Sequence, residues 1–432
     1  MTEAARAANL PPVWAKFDSL ESLSVFSGRL AEVPLSSFAK LAELLKDTTP
    51  KSFPIGDAPV VMTVGEPQDA PPAFISEIVN REAKEFGRYP PLAGTPAFRA
   101  ACAGWLTRRF HVPAGAIDAD AQILPLNGSR EGLFFGVFPL VPEAKGGGRP
   151  VVLIPNPYYS VYPSGTIAAG AEAYYVPARA ATGFLPDFAS VPKSVLRRTV
   201  AAFFCSPSNP EGACAGEPAW STLFNLADEY DFTVLADECY CEIYDDEPPL
   251  GSVEMRYRLS GNFSRLLSFH SLSKRSSAPG LRSGFVFGPP DVIRTMTLFR
   301  NTSAPQVPLP VLTASAAAWS DESHVEEMRA QYRERFAVAE RLLGNTPGFR
   351  RPKGGFYIWL DVGDGAAFAK ELWRKTGVRV MPGAFMAKET VPGDPSSNPG
   401  HSFVRIALVH DSLTIAAALE RVADFVRGGS SR

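Results

Sequence analysis

The stretch LLSFHSLSK, at residues 266–274, indicates the fold class of this chain, because a short apolar run leads directly into Lys274. Comparable runs occur at residues 151–154, 200–204 and 232–236, and each precedes a turn and a helical pattern. Continuous apolar runs are typical of strands covered on both faces, as in a mostly parallel sheet with crossover helices. The sequence therefore predicts an α/β protein.

The length of the chain predicts more than one domain, since 432 residues exceed what a single core usually holds. We expect residues 1–55 to form an N-terminal arm and part of a small domain. Residues 56–310 are expected to form a large domain around the mostly parallel sheet, and residues 311–432 a smaller α+β domain. A proline-rich hinge at residues 305–310 and a charged helix at residues 320–343 are expected near the second boundary. The arm should contain a helix with one apolar face, formed by Leu35, Phe38, Leu41, Leu44 and Leu45.

The charge balance argues against some classes of partner. Forty-three basic and 45 acidic side chains give a net charge of −2, which attracts neither nucleic acid nor an anionic membrane. No apolar run reaches the roughly 20 residues of a membrane span, because Arg130 and Glu131 interrupt the most apolar stretch. Five scattered cysteines without a secretion signal indicate reduced thiols, a cytoplasmic location and no metal site.

Polar residues follow four of the apolar runs, at the position where ligands bind in open α/β sheets. The carboxyl ends of parallel strands share one edge of the sheet, so these residues are expected to form one site. They are Gly128, Ser129 and Arg130 after a run near Ile123, Asn209 after the run at residues 200–204, Asp237 and Tyr240 after the run at residues 232–236, and Ser271, Lys274 and Arg282 after the run that begins at residue 266.

Four of these side chains match the needs of a phosphorylated pyridine aldehyde, pyridoxal 5'-phosphate (PLP). The amine of Lys274 can hold the aldehyde as a Schiff base. A buried carboxylate such as Asp237 would keep the pyridine nitrogen protonated, so that the ring acts as an electron sink. Asn209 and Tyr240 are suitable donors to the ring oxygen.

The remaining residues suit the phosphate of that cofactor. Gly128 and Ser129 precede a helical stretch whose backbone N–H groups can bind an anion. Ser271 adds a hydroxyl and Arg282 adds a guanidinium. Arg130 is expected to contribute its backbone N–H to the phosphate, with its side chain on the helix surface.

Six motifs occur in an order and spacing that identify a family. They are Gly65-Glu-Pro, Tyr89-Pro-Pro-Leu-Ala-Gly-Thr-Pro, Asn209-Pro-Glu-Gly, Asp237-x-x-Tyr240, Ser271-x-Ser-Lys274 and Gly280-Leu-Arg282. With them the chain resembles the class I/II aminotransferases of fold-type I, which depend on PLP. The resemblance implies an aspartate aminotransferase-like fold, with a large PLP domain and a smaller one. It also makes Lys274, Asp237 and Tyr240 the catalytic residues.

The resemblance implies roles for four further residues. Tyr159 would stack on the pyridine ring. Tyr89 would reach the phosphate of a neighbouring subunit, so that two sites are shared in a homodimer. Arg405 would bind the substrate α-carboxylate as a bidentate pair, beside Asn209. Gly65 would let the substrate approach the backbone closely.

Three sequence segments that vary within the family indicate the substrate. N-succinyldiaminopimelate aminotransferases are the members that this chain most resembles, in the segments at residues 124–134, 155–162 and 271–276. The likeness implies glutamate as amino donor and N-succinyl-2-amino-6-oxopimelate as acceptor, in lysine biosynthesis. A second cation would help to bind such acidic substrates, and Arg275 and Arg300 are the nearest in sequence.

Other functions stay open. Lys274 would have the same role in an aminotransferase for another amino acid, whether aspartate-like or broad in specificity. It would also have that role in a PLP-dependent C–S lyase. Glu211 replaces the threonine that is usual in the Asn-Pro-x-Gly loop, which changes the surroundings of the substrate. Ser271-x-x-Lys274 and Lys375-Thr-Gly also match the outer motifs of serine penicillin-binding enzymes, although no S-x-N lies between them. A ligand-sensing domain without catalysis is a further class, but no basic helix-turn-helix precedes the fold.

Overall fold

The computed structural model describes residues 28–50 and 58–429. Its strands are β1 (Val60–Val61), β2 (Ile123–Leu126), β3 (Val151–Asn156), β4 (Glu172–Pro177), β5 (Thr199–Cys205), β6 (Thr233–Asp237), β7 (Leu266–Ser271), β8 (Gly284–Phe287), β9 (Tyr357–Asp361), β10 (Val378–Arg379), β11 (Met381–Pro382) and β12 (Phe403–Ala407). Its α-helices are α1 (Ser37–Leu45), α2 (Ala73–Arg81), α3 (Pro96–Arg109), α4 (Ala119–Gln122), α5 (Ser129–Phe135), α6 (Val161–Ala168), α7 (Lys193–Leu196), α8 (Glu217–Tyr230), α9 (Ser252–Ser260), α10 (Leu272–Arg275), α11 (Pro290–Ser303), α12 (Leu309–Ser320), α13 (Ser323–Leu343), α14 (Gly365–Thr376) and α15 (Ser412–Gly429). Short 3₁₀ helices span Gly28–Glu32, Ala83–Gly87, Phe138–Leu140, Ala180–Thr182, Phe188–Ser190, Pro279–Leu281, Gly383–Met386 and Pro395–Ser397.

A seven-stranded sheet organises the larger unit of the described chain, in the order β2-β8-β7-β6-β5-β3-β4. β8 is antiparallel to both its neighbours, and the other neighbouring pairs are parallel. Along β6, Val234 and Ala236 pack into one apolar cluster, whereas Leu235 packs into the cluster on the opposite face. Both faces of the sheet are therefore covered, which explains why β6 is a continuous apolar run and not an alternation of apolar and polar residues. The prediction of an α/β protein with a mostly parallel sheet is confirmed.

The smaller unit is built on an antiparallel sheet in the order β11-β12-β9. Three helices surround one apolar core, which contains Phe336 of α13, Leu372 of α14 and Leu419 of α15 together with Leu360 of β9. The charged helix expected at residues 320–343 is α13, which begins at Ser323. Helices packed against an antiparallel sheet give this unit the α+β character that the sequence predicts.

Two segments belong to a different unit from the one that the boundaries expected at residues 56 and 311 would give them. β1 pairs with β10, so that Val60 lies opposite Val378 and belongs to the smaller unit. α12 belongs to the larger unit, because Trp319 packs into the cluster on one face of the seven-stranded sheet. Pro310 lies in the first turn of α12, where proline is favoured. The proline-rich segment therefore begins a helix of the large unit instead of ending that unit.

The apolar helix expected in the arm is α1. It packs Leu41 and Leu45 against Trp373 of the smaller unit. Leu35 does not share this face: it precedes Ser36, the N-cap of α1, and is exposed. The first part of the predicted arm, residues 1–27, lies outside the described residues.

Candidate active site

A cavity of about 820 Å³ lies at the carboxyl ends of β5, β6 and β7, between the two units. Such a volume is within the roughly 300–1,000 Å³ of small-molecule sites. The parallel strands end at one edge of the sheet, so residues distant in sequence meet there. The predicted site residues that border the cavity are Gly65, Ser129, Arg130, Tyr159, Asn209, Asp237, Tyr240, Ser271, Lys274, Arg282 and Arg405.

Lys274 lies in α10, directly after β7. Its Nζ donates a hydrogen bond to the backbone carbonyl of Gly65 and lies 5.4 Å from the ring centroid of Phe356. Burial lowers the pKa of Lys274 to about 8, because a desolvated ammonium is less stable than one in water. A neutral amine is thus available near neutral pH, as an amine nucleophile or base requires.

Asp237 ends β6 and is buried. Its Oδ2 accepts a hydrogen bond of 2.7 Å from the hydroxyl of Tyr162, and its Oδ1 accepts one of 3.3 Å from the backbone N–H of Cys239. Burial raises the pKa of Asp237, and the hydrogen bonds from Tyr162 and from the backbone and thiol of Cys239, together with the charge of Lys274, oppose that rise. Tyr162 was not among the predicted site residues, although it closes the segment at residues 155–162 that carries part of the family resemblance.

Tyr240 forms a hydrogen bond with Tyr357, with 3.0 Å between the two hydroxyl oxygens. Burial raises the pKa of both phenols, so both remain protonated donors at neutral pH. Tyr357 also explains Gly65, since a Cβ on residue 65 would lie 1.8 Å from the Tyr357 hydroxyl oxygen. Tyr357 is not among the predicted site residues, because its apolar strand segment gives no sign of a polar role.

The residues predicted to bind phosphate lie together. Gly128 caps α5 with φ +84°, and a Cβ there would lie 2.4 Å from Nη2 of Arg282. Arg282 donates to the backbone carbonyls of Asn127 and Pro279, at 2.8 and 2.9 Å. Ser271 accepts a 3.2 Å hydrogen bond from the backbone N–H of Ser273, a cavity residue that the sequence analysis missed.

These donors fit a phosphate by their chemistry. In the described part of the chain no carboxylate forms an ion pair with Arg282, which borders the cavity together with Ser129 and Ser271. Only a glycine at position 128 leaves room for the guanidinium beside the start of α5. An arginine, two hydroxyls and a helix N-terminus form the kind of donor set that binds a phosphate group.

Arg405 reaches the cavity from β12 of the smaller unit and is buried. It donates to Oδ1 of Asn209 at 2.7 Å and to the carbonyl of Thr63 at 2.6 Å. Its guanidinium carbon lies 4.3 Å from the ring centroid of Tyr357. The guanidinium is thereby fixed in orientation, as bidentate binding of a carboxylate requires.

The side chain of Arg130 borders the cavity instead of only the outer surface of α5. Its Nε donates to the hydroxyl of Tyr159 at 2.5 Å, and its guanidinium carbon lies 5.7 Å from the ring centroid of that tyrosine. Throughout residues 28–50 and 58–429, no carboxylate lies within ion-pair distance of Arg130. The expectation that only its backbone matters is therefore too narrow.

Four residues that the sequence suggests for a functional role do not border the cavity of a single chain. Arg300 is buried in an ion pair with Glu131, and Arg275 donates to backbone carbonyls beside α12; neither borders the cavity. Proximity in sequence predicts a role for both arginines in substrate binding, but it does not reveal the partners that they have in the folded chain. Tyr89 is 97% exposed and does not border the cavity within one chain. Lys375 of the Lys-Thr-Gly match lies near the end of α14, also away from the cavity.

Glu211 follows the cavity residue Asn209 by two positions and is buried. Burial raises the pKa of its carboxyl to about 7. Its backbone carbonyl accepts a 3.0 Å hydrogen bond from Arg350 of the smaller unit. The Asn-Pro-x-Gly loop therefore carries a titratable acid two positions after Asn209, whose side chain accepts a hydrogen bond from Arg405.

Two kinds of feature are absent from residues 28–50 and 58–429 of the structure. No three His, Cys, Asp or Glu residues are grouped there as metal ligands. None of the helices there is long and apolar enough to cross a bilayer. All five cysteines are free, as the sequence predicts.

Comparison with known proteins identifies the family. The chain matches the family model of class I and II aminotransferases over residues 59–422. It is 30% identical over 403 residues to LL-diaminopimelate aminotransferase of Desulforudis audaxviator, over 91% of this chain and 96% of that protein.

Two solved structures are similar over most of their length. An aminotransferase from Neisseria meningitidis Z2491 gives a TM-score of 0.86 at 38% identity, covering 93% of this chain and all of that one. Aminotransferase AspB from Helicobacter pylori 26695 gives 0.81 at 31% identity, covering 91% and 98%. The predicted aspartate aminotransferase-like fold is confirmed. This chain therefore belongs to the class I and II aminotransferases, a PLP-dependent family.

Proposed function

We propose that this aminotransferase exchanges an amino group between glutamate and N-succinyl-2-amino-6-oxopimelate. The observation that carries the proposal is an excess of positive charge in the cavity, which suits substrates with several carboxylates. The cations that border the cavity are Arg130, Lys274, Arg282 and Arg405, and the carboxylates are Glu66 and Asp237.

The residues divide into a cofactor set and a substrate set. Bound PLP supplies an electron sink for the carbanion at the substrate Cα. We assign Asp237 to the proton on its pyridine nitrogen and Arg282 with Ser271 to its phosphate. Lys274 holds the cofactor and moves the proton at Cα, a task for which a pKa of about 8 is suitable. Arg405 holds the substrate α-carboxylate, beside Asn209.

Arg130 remains as the cation for the far end of the substrate. It borders the cavity, and no carboxylate in the described residues neutralises it. Glutamate carries one carboxylate beyond its α-carboxylate, and the succinylated oxo acid carries two. One unneutralised guanidinium therefore serves both substrates in turn, which neither Arg275 nor Arg300 can do from their buried positions.

LL-diaminopimelate is a second candidate, because the curated relative quoted above bears its name. The far end of that molecule has an ammonium as well as a carboxylate. Glu66 borders the cavity, and none of the described cations forms an ion pair with it, so Glu66 and Arg130 could receive the two charges together. The succinylated acceptor has an amide in place of that ammonium and gains nothing from Glu66.

Steady-state rates discriminate between the substrates. We would measure kcat/KM for the succinylated oxo acid, oxaloacetate and pyruvate with glutamate, and for LL-diaminopimelate with 2-oxoglutarate. The succinylated acceptor should exceed the others at least tenfold, about 1.4 kcal/mol in the transition state. If LL-diaminopimelate has the highest value, the second candidate replaces the first. If oxaloacetate or pyruvate does, the diaminopimelate assignment fails.

Variants test how the substrate is held. Arg130→Gln should raise KM for the succinylated acceptor far more than for pyruvate, which has no distal carboxylate. Arg294→Gln, on the exposed side of α11, is the matched control and should change neither value. An equal rise for both acceptors would contradict the role of Arg130. Release of ammonia without an amino acceptor would identify a lyase instead.

The proposal includes a homodimer with shared sites. Tyr89 is almost fully exposed in one chain, although its motif belongs to the family's phosphate-binding set. A second copy of the chain would bring it to the phosphate across a twofold axis.

A further inference from the structure

We propose that Tyr162 is a positioning residue that keeps Asp237 ionised and correctly oriented toward the cofactor ring. The inference rests on the proposed role of Asp237 at the pyridine nitrogen and deepens it. The family resemblance assigns no role to Tyr162. We infer its role from the contacts that α6 makes with β5 and β6.

The side chain of Tyr162 touches three elements of the ring site at once. It is 1% exposed, and its hydroxyl donates to Oδ2 of Asp237 at 2.7 Å. One ring face stacks on Phe203 of β5, with centroids 4.4 Å apart and planes at 16°. Its ring also meets that of Tyr159 in an edge contact, at 5.7 Å and 87°. Tyr162 therefore joins the acid to the tyrosine predicted to stack on the ring.

The hydroxyl is a principal stabiliser of the Asp237 carboxylate. A buried carboxyl tends to be neutral, whereas hydrogen bonds to its charged form favour ionisation. Besides Tyr162, the described residues favour the charged form of Asp237 through Cys239, by its thiol and by a 3.3 Å contact from its backbone N–H, and through the charge of Lys274. Without the Tyr162 hydroxyl, Oδ2 would lose its donor and the pKa of Asp237 would rise further. A neutral Asp237 no longer holds a proton on the pyridine nitrogen by charge.

Tyr162→Phe tests this role, because it removes the hydroxyl and leaves the contacts with Phe203 and Tyr159. We would compare the holoenzymes in a single half-reaction with glutamate as a function of pH. The rate constant should fall at least tenfold, about 1.4 kcal/mol. The acidic limb of the profile should move to higher pH, since Asp237 then ionises only at higher pH. The pH titration of the holoenzyme's visible absorption should shift in the same direction.

Two comparisons separate this role from a structural one. Tyr175→Phe on β4 removes a half-buried hydroxyl for which the described residues offer no hydrogen-bond partner, and it should leave rate, profile and spectrum unchanged. Introducing 3-fluorotyrosine at position 162 retains the hydroxyl and should restore the wild-type profile. If Tyr162→Phe merely weakened folding, its thermal midpoint would fall while the acidic limb stayed in place, and the inference would be overturned.

Asp237→Asn distinguishes the failure of this inference from failure of the assigned site. If Asp237→Asn changes the spectrum and rate but Tyr162→Phe changes neither, the role of Tyr162 is refuted and that of Asp237 stands. If Asp237→Asn also leaves both unchanged, the assignment of Asp237 and the inference fall together.

Discussion

The lowered pKa of Lys274 makes a quantitative prediction for the attachment of PLP to the apoenzyme. With a pKa of about 8 in place of the usual 10.5, about one tenth of Lys274 is neutral at pH 7, against about one in three thousand for an ordinary lysine. The rate of covalent attachment should therefore rise with pH to a midpoint near 8 and then level off. Stopped-flow absorption after mixing apoenzyme with PLP measures it, and borohydride reduction with peptide mapping locates the label.

The neighbouring charges predict how the midpoint moves. Burial is the main cause of the low pKa of Lys274, while Glu66 raises that pKa and Arg130 lowers it. Glu66→Gln should therefore move the midpoint below 8, and Arg130→Gln should move it above 8. Both shifts should shrink at high salt, because the two side chains are exposed. A midpoint near 10, shifts in the same direction, or label on another lysine would refute the reasoning.

Three other substitutions test the remaining parts of the site. Gly128→Ala places a Cβ 2.4 Å from Nη2 of Arg282 at φ +84° and ψ 159°, a backbone conformation that is essentially restricted to glycine, which costs about 1–3 kcal/mol in strain; equilibrium dialysis should show weaker PLP binding. Arg405→Gln should lower kcat/KM for glutamate about tenfold or more, the loss of a charged hydrogen bond of about 1.5–3 kcal/mol, with PLP absorption unchanged as its control. Tyr89→Phe should weaken PLP retention by a similar amount if a partner subunit supplies the hydroxyl, and a fully active monomer in sedimentation would contradict this.

Local pattern in the sequence was sufficient for the fold class and for most of the site. Strand β6 is apolar at every position before Asp237 apart from Thr233, because both of its faces are covered by packed side chains. A parallel sheet places its ligand at the carboxyl ends of its strands, so Asp237 and Lys274 could be assigned from their place after such runs. The motif spacing added the family and its cofactor.

The tertiary structure decided the partners of those residues. Tyr162 reaches Asp237 across 75 positions of sequence, and Arg405 reaches Asn209 across 196. Such contacts depend on the order of strands in the sheet and on how the two units pack, neither of which has a local period. Arg300 is the opposite case. Its place in the sequence suggested a contact with substrate, but in the folded chain Arg300 is buried against Glu131. Periodicity determines which faces are covered, whereas only the assembled sheet determines which polar groups meet.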